Sequence, residues 1–240
     1  MPMRTLPVEL YRAAQVRELD RIAIQERGIP GYTLMSRAGE AAFHLLRQRW
    51  PKAWRIEIVC GGGNNGGDGY VVARLARHAG LDARVMTLAD PEQLRGDALI
   101  AWQDAKAAEV PITPFDAATL VEADVLVDAI LGTGLEREVS GAWRAAIEAM
   151  NAQSADIFAL DIPSGLHADT GAVLGAAIKA AATLTFIGLK PGLFTGQGPA
   201  CCGDIHFTHL SVPPDIYPAL HPACWRYGGE DLPVLLPRRS

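Results

Sequence analysis

The sequence is poor in cysteine. It holds four, Cys60, Cys201, Cys202 and Cys224, in 240 residues, and no two show C-x-x-C spacing. That excludes a zinc ribbon and a thioredoxin-type motif. The adjacent pair Cys201-Cys202 reads as packed or exposed thiols, and all four as reduced cytoplasmic cysteines. The six histidines are scattered, so no His/Cys cluster suits zinc. His167, just past a PSG turn, is the only one that this reading places near a site. No uncharged apolar run is long enough for a membrane span. The opening residues, MPMRTLPVELYR, lack the apolar core of a signal peptide. Positive charge is also short: 22 Lys and Arg against 27 Asp and Glu leave a net charge of −5. Nucleic-acid binding draws on dense basic patches, so no such partner is expected.

Apolar residues make up 49% of the chain, enough for one sizeable α/β domain with a single core. Residues 8–26 place Leu10, Ala13, Val16, Leu19, Ile22 and Ala23 at three- and four-residue steps, which predicts an amphipathic helix. GIPG at 28–31 breaks it, and a second helix follows over 33–49. This pair precedes the sheet and is expected to pack on it or on a second copy as a homodimer. From Arg55 the pattern alternates. Strands are expected at 55–60, 83–88, 112–115, 124–131, 156–162, 182–189 and 204–210, and helices at 68–78, 91–109 and 141–151. Such alternation predicts a Rossmann-like, three-layer α/β/α fold with a mostly parallel, doubly wound sheet behind two N-terminal helices. The proline-rich tail reads as a wrapping segment or linker. That divides the chain into a domain over 1–212 and a C-terminal segment over 213–240.

Four of these strands end in glycine turns: GGGNNGGDG after Cys60, GTGLEREVSG after Leu131, PSG after Ile162 and GLKPG after Ile187. In an open parallel sheet the carboxyl ends share one edge, where ligands bind. Four distant segments should therefore converge on one pocket. The first loop can turn backbone N–H groups toward an anion at a helix start, but it lacks the G-K-[ST] of a Walker loop. Its G-x-G-x-x-G match, Gly61–Gly66, is weak in so glycine-rich a run. Asp128 and Asp161 each end an apolar strand, where a carboxylate is costly unless paired or bound to a cation. One such residue would read as a turn cap. Two of them, with Asn64, Asn65 and Ser164 nearby, read as a site. Asn, Asp and Ser are hard oxygen ligands, suited to Mg²⁺, Ca²⁺ or an alkali cation. Lys190 reads either as a phosphate partner or as an exposed loop lysine.

Together GGGNNGGDGYVVARLA, DAILGTGLEREVSG, ALDIPSGLHADTG and TLTFIGLKPGL resemble, in order, the YjeF N-terminal domain family of NAD(P)HX epimerases. The leading LDRIAIQERGIPGYTLMSRAGEAA is similar as well, with Ser36 where the family pattern has Glu. The resemblance implies a Rossmann-like fold and interconversion of the R and S epimers at C6 of hydrated NADH and NADPH (NADHX and NADPHX). It implies one K⁺ held by Asn65, Asp128 and Ser164. It places the dinucleotide along Asn64, Asn65, Gly66, Gly67 and Asp68, and along Gly132, Thr133, Gly134, Leu135, Glu136, Arg137 and Glu138. Asp161 would touch the same ligand and serve as the catalytic acid/base. A dehydratase, fused or separate, would be the functional partner. The closing LPVLLPRRS resembles the connector to such a second domain, so the chain reads as a fragment or a split form without dehydratase activity. Two rivals remain at this point. One is a non-catalytic nucleotide- or protein-binding module of the same fold. The other is a dehydrogenase with Asp90 closing its second strand on a ribose, which leaves NNGGD, DAILGTG and DIPSG unexplained.

Overall fold

In the computed structural model, residues 6–117, 120 and 123–227 are described. In chain order a short strand β1 (Glu9–Leu10) leads into α1 (Ala13–Arg21) and α2 (Gly31–Arg49). Then come β2 (Arg55–Cys60), α3 (Asn64–His78), β3 (Asp82–Thr87), α4 (Gly96–Ala107), β4 (Ile112–Pro114) and β5 (Val125–Ala129). The second half holds α5 (Gly141–Asn151), β6 (Asp156–Leu160), β7 (Ala182–Phe186), α6 (Gly198–Cys201), β8 (Asp204–Thr208) and β9 (Cys224–Trp225).

The main sheet has seven strands in the order β4-β3-β2-β5-β6-β7-β8, and every pairing is parallel. Parallel sheets are covered on both faces, so their strands are apolar throughout rather than alternating. VLVDA of β5 is buried at every position. Successive side chains point to opposite faces. Ile56, Ile58, Val125 and Val127 join α1, α2, α3 and α4 in one core. Val59, Leu126 and Ile157 meet Ile147 and Met150 of α5 on the other side. The expected three layers result. Strand order reverses at β2: β3 and β4 lie to one side, β5 through β8 to the other. A crevice opens at that switch point, between the carboxyl ends of β2 and β5.

Several boundaries differ from the sequence expectation. The first helix starts at Ala13, not at residue 8, because Glu9 and Leu10 pair antiparallel with Trp225 and Cys224 of β9. It closes in a wider π-type turn over Ile22–Glu26. The helix expected over 91–109 is broken. Asp90 caps a single turn at Pro91–Gln93, and Gly96 has a φ of +55°, so α4 begins only there. The strand expected over 182–189 stops at Phe186, since Ile187 turns left-handed with φ +63°. The change that bears on the site is at α3, which begins at Asn64 rather than Asp68. NNGGDG is the first turn and a half of a helix, not a loop.

The N-terminal helices pack on the sheet within this chain. Beyond Val212, Ile216 is fully buried in the main core and Tyr217 donates its hydroxyl to the Ile187 carbonyl at 2.7 Å. The rest of the expected tail, 228–240, lies outside the described residues. Among the described residues no helix is long and apolar enough to cross a membrane.

Candidate functional site

A cleft of about 620 Å³ lies over the carboxyl edge of the sheet, lined by segments from both halves of the chain. Gly62–Asn65 and Asp68 border it from the start of α3. Residues 130–137 form another side, and Asp161, Phe186 and Ile187 come from β6 and β7. The convergence of strand ends read from the sequence is present, but only two of the four glycine turns line the cleft; before PSG and GLKPG it is the strand ends, Asp161 and Ile187, that reach it. The N-terminal helices complete the cleft with Val16, Arg17, Asp20, Leu34, Met35 and Ala38, which no sequence pattern assigned to it.

The glycines of GGGNNGGDG bring α3 close to its neighbours. A Cβ on Gly66 would sit 2.1 Å from the Gly61 carbonyl oxygen, and one on Gly61 would sit 2.0 Å from that of Ile130. A Cβ on Gly69 would meet Ala129 and the Cys60 sulfur at 2.6 and 2.7 Å. The run thus lets a helix start directly on the ends of β2 and β5. Its free N-terminal N–H groups, on Asn64, Asn65 and Gly66, face the crevice end of the helix, where the dipole favours negative charge.

Beneath the cleft is Asp128, fully buried. Its carboxylate accepts from the Ser164 N–H at 2.8 Å, the Ser164 hydroxyl at 2.6 Å and the Ile130 N–H at 3.2 Å. Ser164 Oγ in turn accepts from the Leu131 N–H at 2.8 Å. These donors are all neutral. Burial pushes Asp128 up to about 6, against the lowering effect of the Ser164 and Ile130 bonds. Asn65 leans on the same group: its Nδ2 donates to the Leu131 carbonyl at 3.1 Å, while its Oδ1 is buried with no hydrogen-bond partner among the described residues. A buried, unpaired amide oxygen beside a buried carboxylate that lacks a counter-charge fits a cation. The three residues that the family resemblance assigns to K⁺ are thus linked, Asn65 and Ser164 through the Leu131 carbonyl and Ser164 to Asp128, and their donor set is hard oxygen.

Asp161 ends β6 in the left-handed region, φ +65°. That conformation is uncommon for a side-chain-bearing residue and costs on the order of 1 kcal/mol. Its N–H stays tied to the Leu184 carbonyl at 2.7 Å, and its carboxylate forms an ion pair with Lys190 through Oδ1. Lys190 is fully buried, not an exposed loop lysine. Its Nζ also donates to Thr185 Oγ1 at 2.8 Å and to the Phe186 carbonyl at 3.0 Å. Two further carboxyls border the same space. Asp68 is pushed well above the usual range by burial, then by Asp161 and Asp20. Asp20 rises to about 6, chiefly by burial, with Lys190 opposing and Asp161 adding to the shift.

Of the ligand residues read from sequence, Asn64, Asn65, Asp68, Gly132, Thr133, Gly134, Leu135, Glu136, Arg137 and Asp161 line the cleft. Gly66, Gly67 and Glu138 do not. Gly66 abuts the Gly61 backbone, Gly67 packs on Met35 and Ala98, and the Glu138 side chain lies near Gly175. Asp128 and Ser164 sit below the lining. His167 is also outside it, held by Thr170 and the Asp169 N–H. Asp90, the one acidic residue that suggested a dehydrogenase ribose site, caps the Pro91–Gln93 turn through Glu92 N–H at 3.0 Å. Sequence reasoning missed Asp20 and the burial of Lys190. Asp20 carried one signal, a carboxyl four residues after Val16 and three before Ala23, on an otherwise apolar helical stripe.

A doubly wound sheet with its cleft at the switch point and a buried oxygen-rich pocket beneath it define a Rossmann-like α/β domain with a candidate ligand site. The model of the family "YjeF-related protein N-terminus" matches residues 31–192, and the chain belongs to that family. It is 39% identical over 193 residues to an NAD(P)H-hydrate epimerase of Limosilactobacillus fermentum, covering 80% of this chain and 92% of that one. It is 43% identical over 231 residues to the bifunctional NAD(P)H-hydrate repair enzyme Nnr of Coxiella burnetii, covering 96% of this chain and 47% of that protein. The chain thus spans about half the length of the bifunctional relatives it matches. The crystal structure of the yeast protein ynu0 superposes with a TM-score of 0.78 at 20% identity, over 93% of this chain and 97% of that one, and shows the same fold.

Proposed function

We propose that this chain is an NAD(P)H-hydrate epimerase, interconverting the R and S forms of NADHX and NADPHX at C6 of the nicotinamide ring. The observation that carries this reading is Asp161. It is a carboxylate set at the cleft by a left-handed turn, with one oxygen held by a buried ammonium. The names of the matching relatives support it.

The C6 carbon bears both a hydroxyl and the ring nitrogen, so it is a hemiaminal-type centre. Ion-paired to Lys190, Asp161 starts as a base. It takes the proton of the C6 hydroxyl. The C6–N1 bond breaks, its electron pair moves to N1, and a carbonyl forms at C6. The charge on N1 delocalises into the adjacent C2=C3 bond and its carboxamide. Rotation about C5–C6 presents the other carbonyl face. N1 adds back, and the proton returns from Asp161 to oxygen. Nothing is consumed and no redox step occurs. The N–H groups at the start of α3 and the loop 131–137 hold the anionic dinucleotide while this happens.

Asn65, Asp128 and Ser164 would hold K⁺. The ion would supply fixed positive charge under the phosphates and the 131–137 loop, where a Walker loop places lysine. The functional partner is a dehydratase that acts on one epimer, fused or separate. A homodimer through the outer surface of the N-terminal helices belongs to the same proposal, and sedimentation equilibrium tests it. The direct test of function starts from pure R or S NADHX and follows equilibration by chromatography, with and without K⁺. Equilibration accelerated over the spontaneous rate supports the reading; an unchanged rate refutes it.

A further inference from the structure

The ion pair under Asp161 accounts for more than charge balance. Lys190 stands four residues beyond the end of β7 and is fully buried. Its ammonium has three donors, and three acceptors meet them: Asp161 Oδ1, Thr185 Oγ1 and the Phe186 carbonyl. Lysine is flexible and usually keeps its head in water. Here every donor is used inside the fold, so the head has a single position. Thr185, also fully buried, touches both partners, since its hydroxyl lies 3.5 Å from Asp161 Oδ1. The result is a clamp on one carboxylate oxygen by Lys190 and Thr185, with the Phe186 carbonyl steadying the ammonium.

The other oxygen is left for chemistry. Asp161 Oδ2 has no hydrogen bond among the described residues and faces Gly132, where a Cβ would come within 3.6 Å of it. Gly132 lines the cleft, as Asp161 does. The surroundings sharpen the contrast. Asp20 from α1 and Asp68 from α3 border the same cleft, yet neither is bonded to the ammonium. Of the carboxyls that line the cleft, Asp161 alone among the described residues is bonded to Lys190. Left-handed backbone at both Asp161 and Ile187 keeps the two strand ends in this arrangement.

We propose that Lys190 is a positioning residue of the reaction: clamped by Thr185 and the Phe186 carbonyl, it fixes Asp161 Oδ1 so that Oδ2 alone meets the C6 hydroxyl of the substrate. Substrate does not touch Lys190, which acts through Asp161. This inference rests on the epimerase reading and adds a residue to it.

Three variants test it, with the wild type as control. Wild-type protein that fails to equilibrate pure NADHX epimers sinks the epimerase reading itself, apart from anything about Lys190. Given an active wild type, Lys190→Ala should lose about 100-fold in kcat, within the range for a misplaced acid/base group, with KM within about twofold. Added propylammonium should restore part of that rate saturably, and should do nothing for a Lys190→Ala/Asp161→Asn double variant. Removing one partner of a buried pair is strongly destabilising, so Thr185→Val carries the test if Lys190→Ala does not fold. It is nearly isosteric, keeps the ion pair and loosens the clamp. It should lower kcat about tenfold with KM little changed, and the folded protein should melt lower, because one donor of the buried ammonium loses its acceptor. A folded Lys190→Ala or Thr185→Val protein with wild-type kcat overturns the proposal. So does a loss confined to KM, which would place Lys190 in substrate binding.

Discussion

At the scale of the residue, the site rests on carboxyls whose surroundings differ. Asp20 is raised to about 6 by burial in the fold. Its unfolded value is near that of a free aspartate, so the folded state binds the proton more tightly between about pH 4 and 6. Stability therefore falls as pH rises through that window, and the penalty persists at neutral pH. Asp20→Asn removes it. In urea unfolding the variant should gain about 2 kcal/mol at pH 7.5 and almost nothing at pH 4. Asp128 responds differently, because its oxygens accept three bonds. Asp128→Asn puts an NH₂ among those donors and removes the charge that a cation would answer. The wild type should melt higher in KCl than in NaCl, and Asp128→Asn should melt alike in both, about 1–3 kcal/mol less stable. The oxygen at C6 reports on Asp161. Ring opening keeps it on the substrate, so early epimerisation in ¹⁸O-water should leave product largely unlabelled. Loss and return of hydroxide would label every turnover.

At the scale of the element, α3 concentrates the design. Its glycines are required by close approach, and the cost of filling each one differs by what the new methyl meets. On Gly66 it would strike the Gly61 backbone at 2.1 Å. On Gly67 it meets the end of the flexible Met35 side chain at 2.5 Å. Gly66→Ala should cost more than about 3 kcal/mol or abolish folding, whereas Gly67→Ala should cost about 1–2 kcal/mol, both read from denaturant midpoints. The tail is an element of the fold as well. Ile216→Ala empties a fully buried position and should cost about 2–4 kcal/mol. These contrasts also explain what could be read in advance. Parallel strands buried on both faces write continuous apolar runs, so β2, β5, β6 and β7 were legible to within a few residues. A carboxylate ending such a run, as at Asp128 and Asp161, was legible for the same reason. The start of α3 was not, because a glycine run has the composition of a loop and only packing against Gly61 and Met35 makes it helical. The two-residue strands β1 and β9 carry no periodicity at all. The burial of Lys190 depends on a contact with Asp161, 29 positions earlier, that no local pattern records.

At the scale of the whole molecule, the sheet brings three layers of sequence to one edge. Asp128 and Asp161 come from neighbouring strands, β5 and β6, on one side of the switch point, while α3 enters from β2 on the other. The N-terminal helices close the cleft over them. The proposed cation pocket and the clamped carboxylate thus share one rigid frame, with Gly132 between them. A Cβ there would contact Asn65 on one side and Asp161 on the other. Gly132→Val should therefore impair both K⁺ response and turnover while leaving the unfolding midpoint within about 1 kcal/mol. The central claim is that this frame equilibrates the C6 epimers through Asp161. The measurement that tests it most directly is the rate of equilibration of pure S NADHX, followed by chromatography, for wild type and Asp161→Asn side by side in K⁺. The account predicts rapid approach to the R/S mixture by wild type and a loss of at least about 100-fold in the variant with substrate still bound. Equal rates in the two proteins would contradict it.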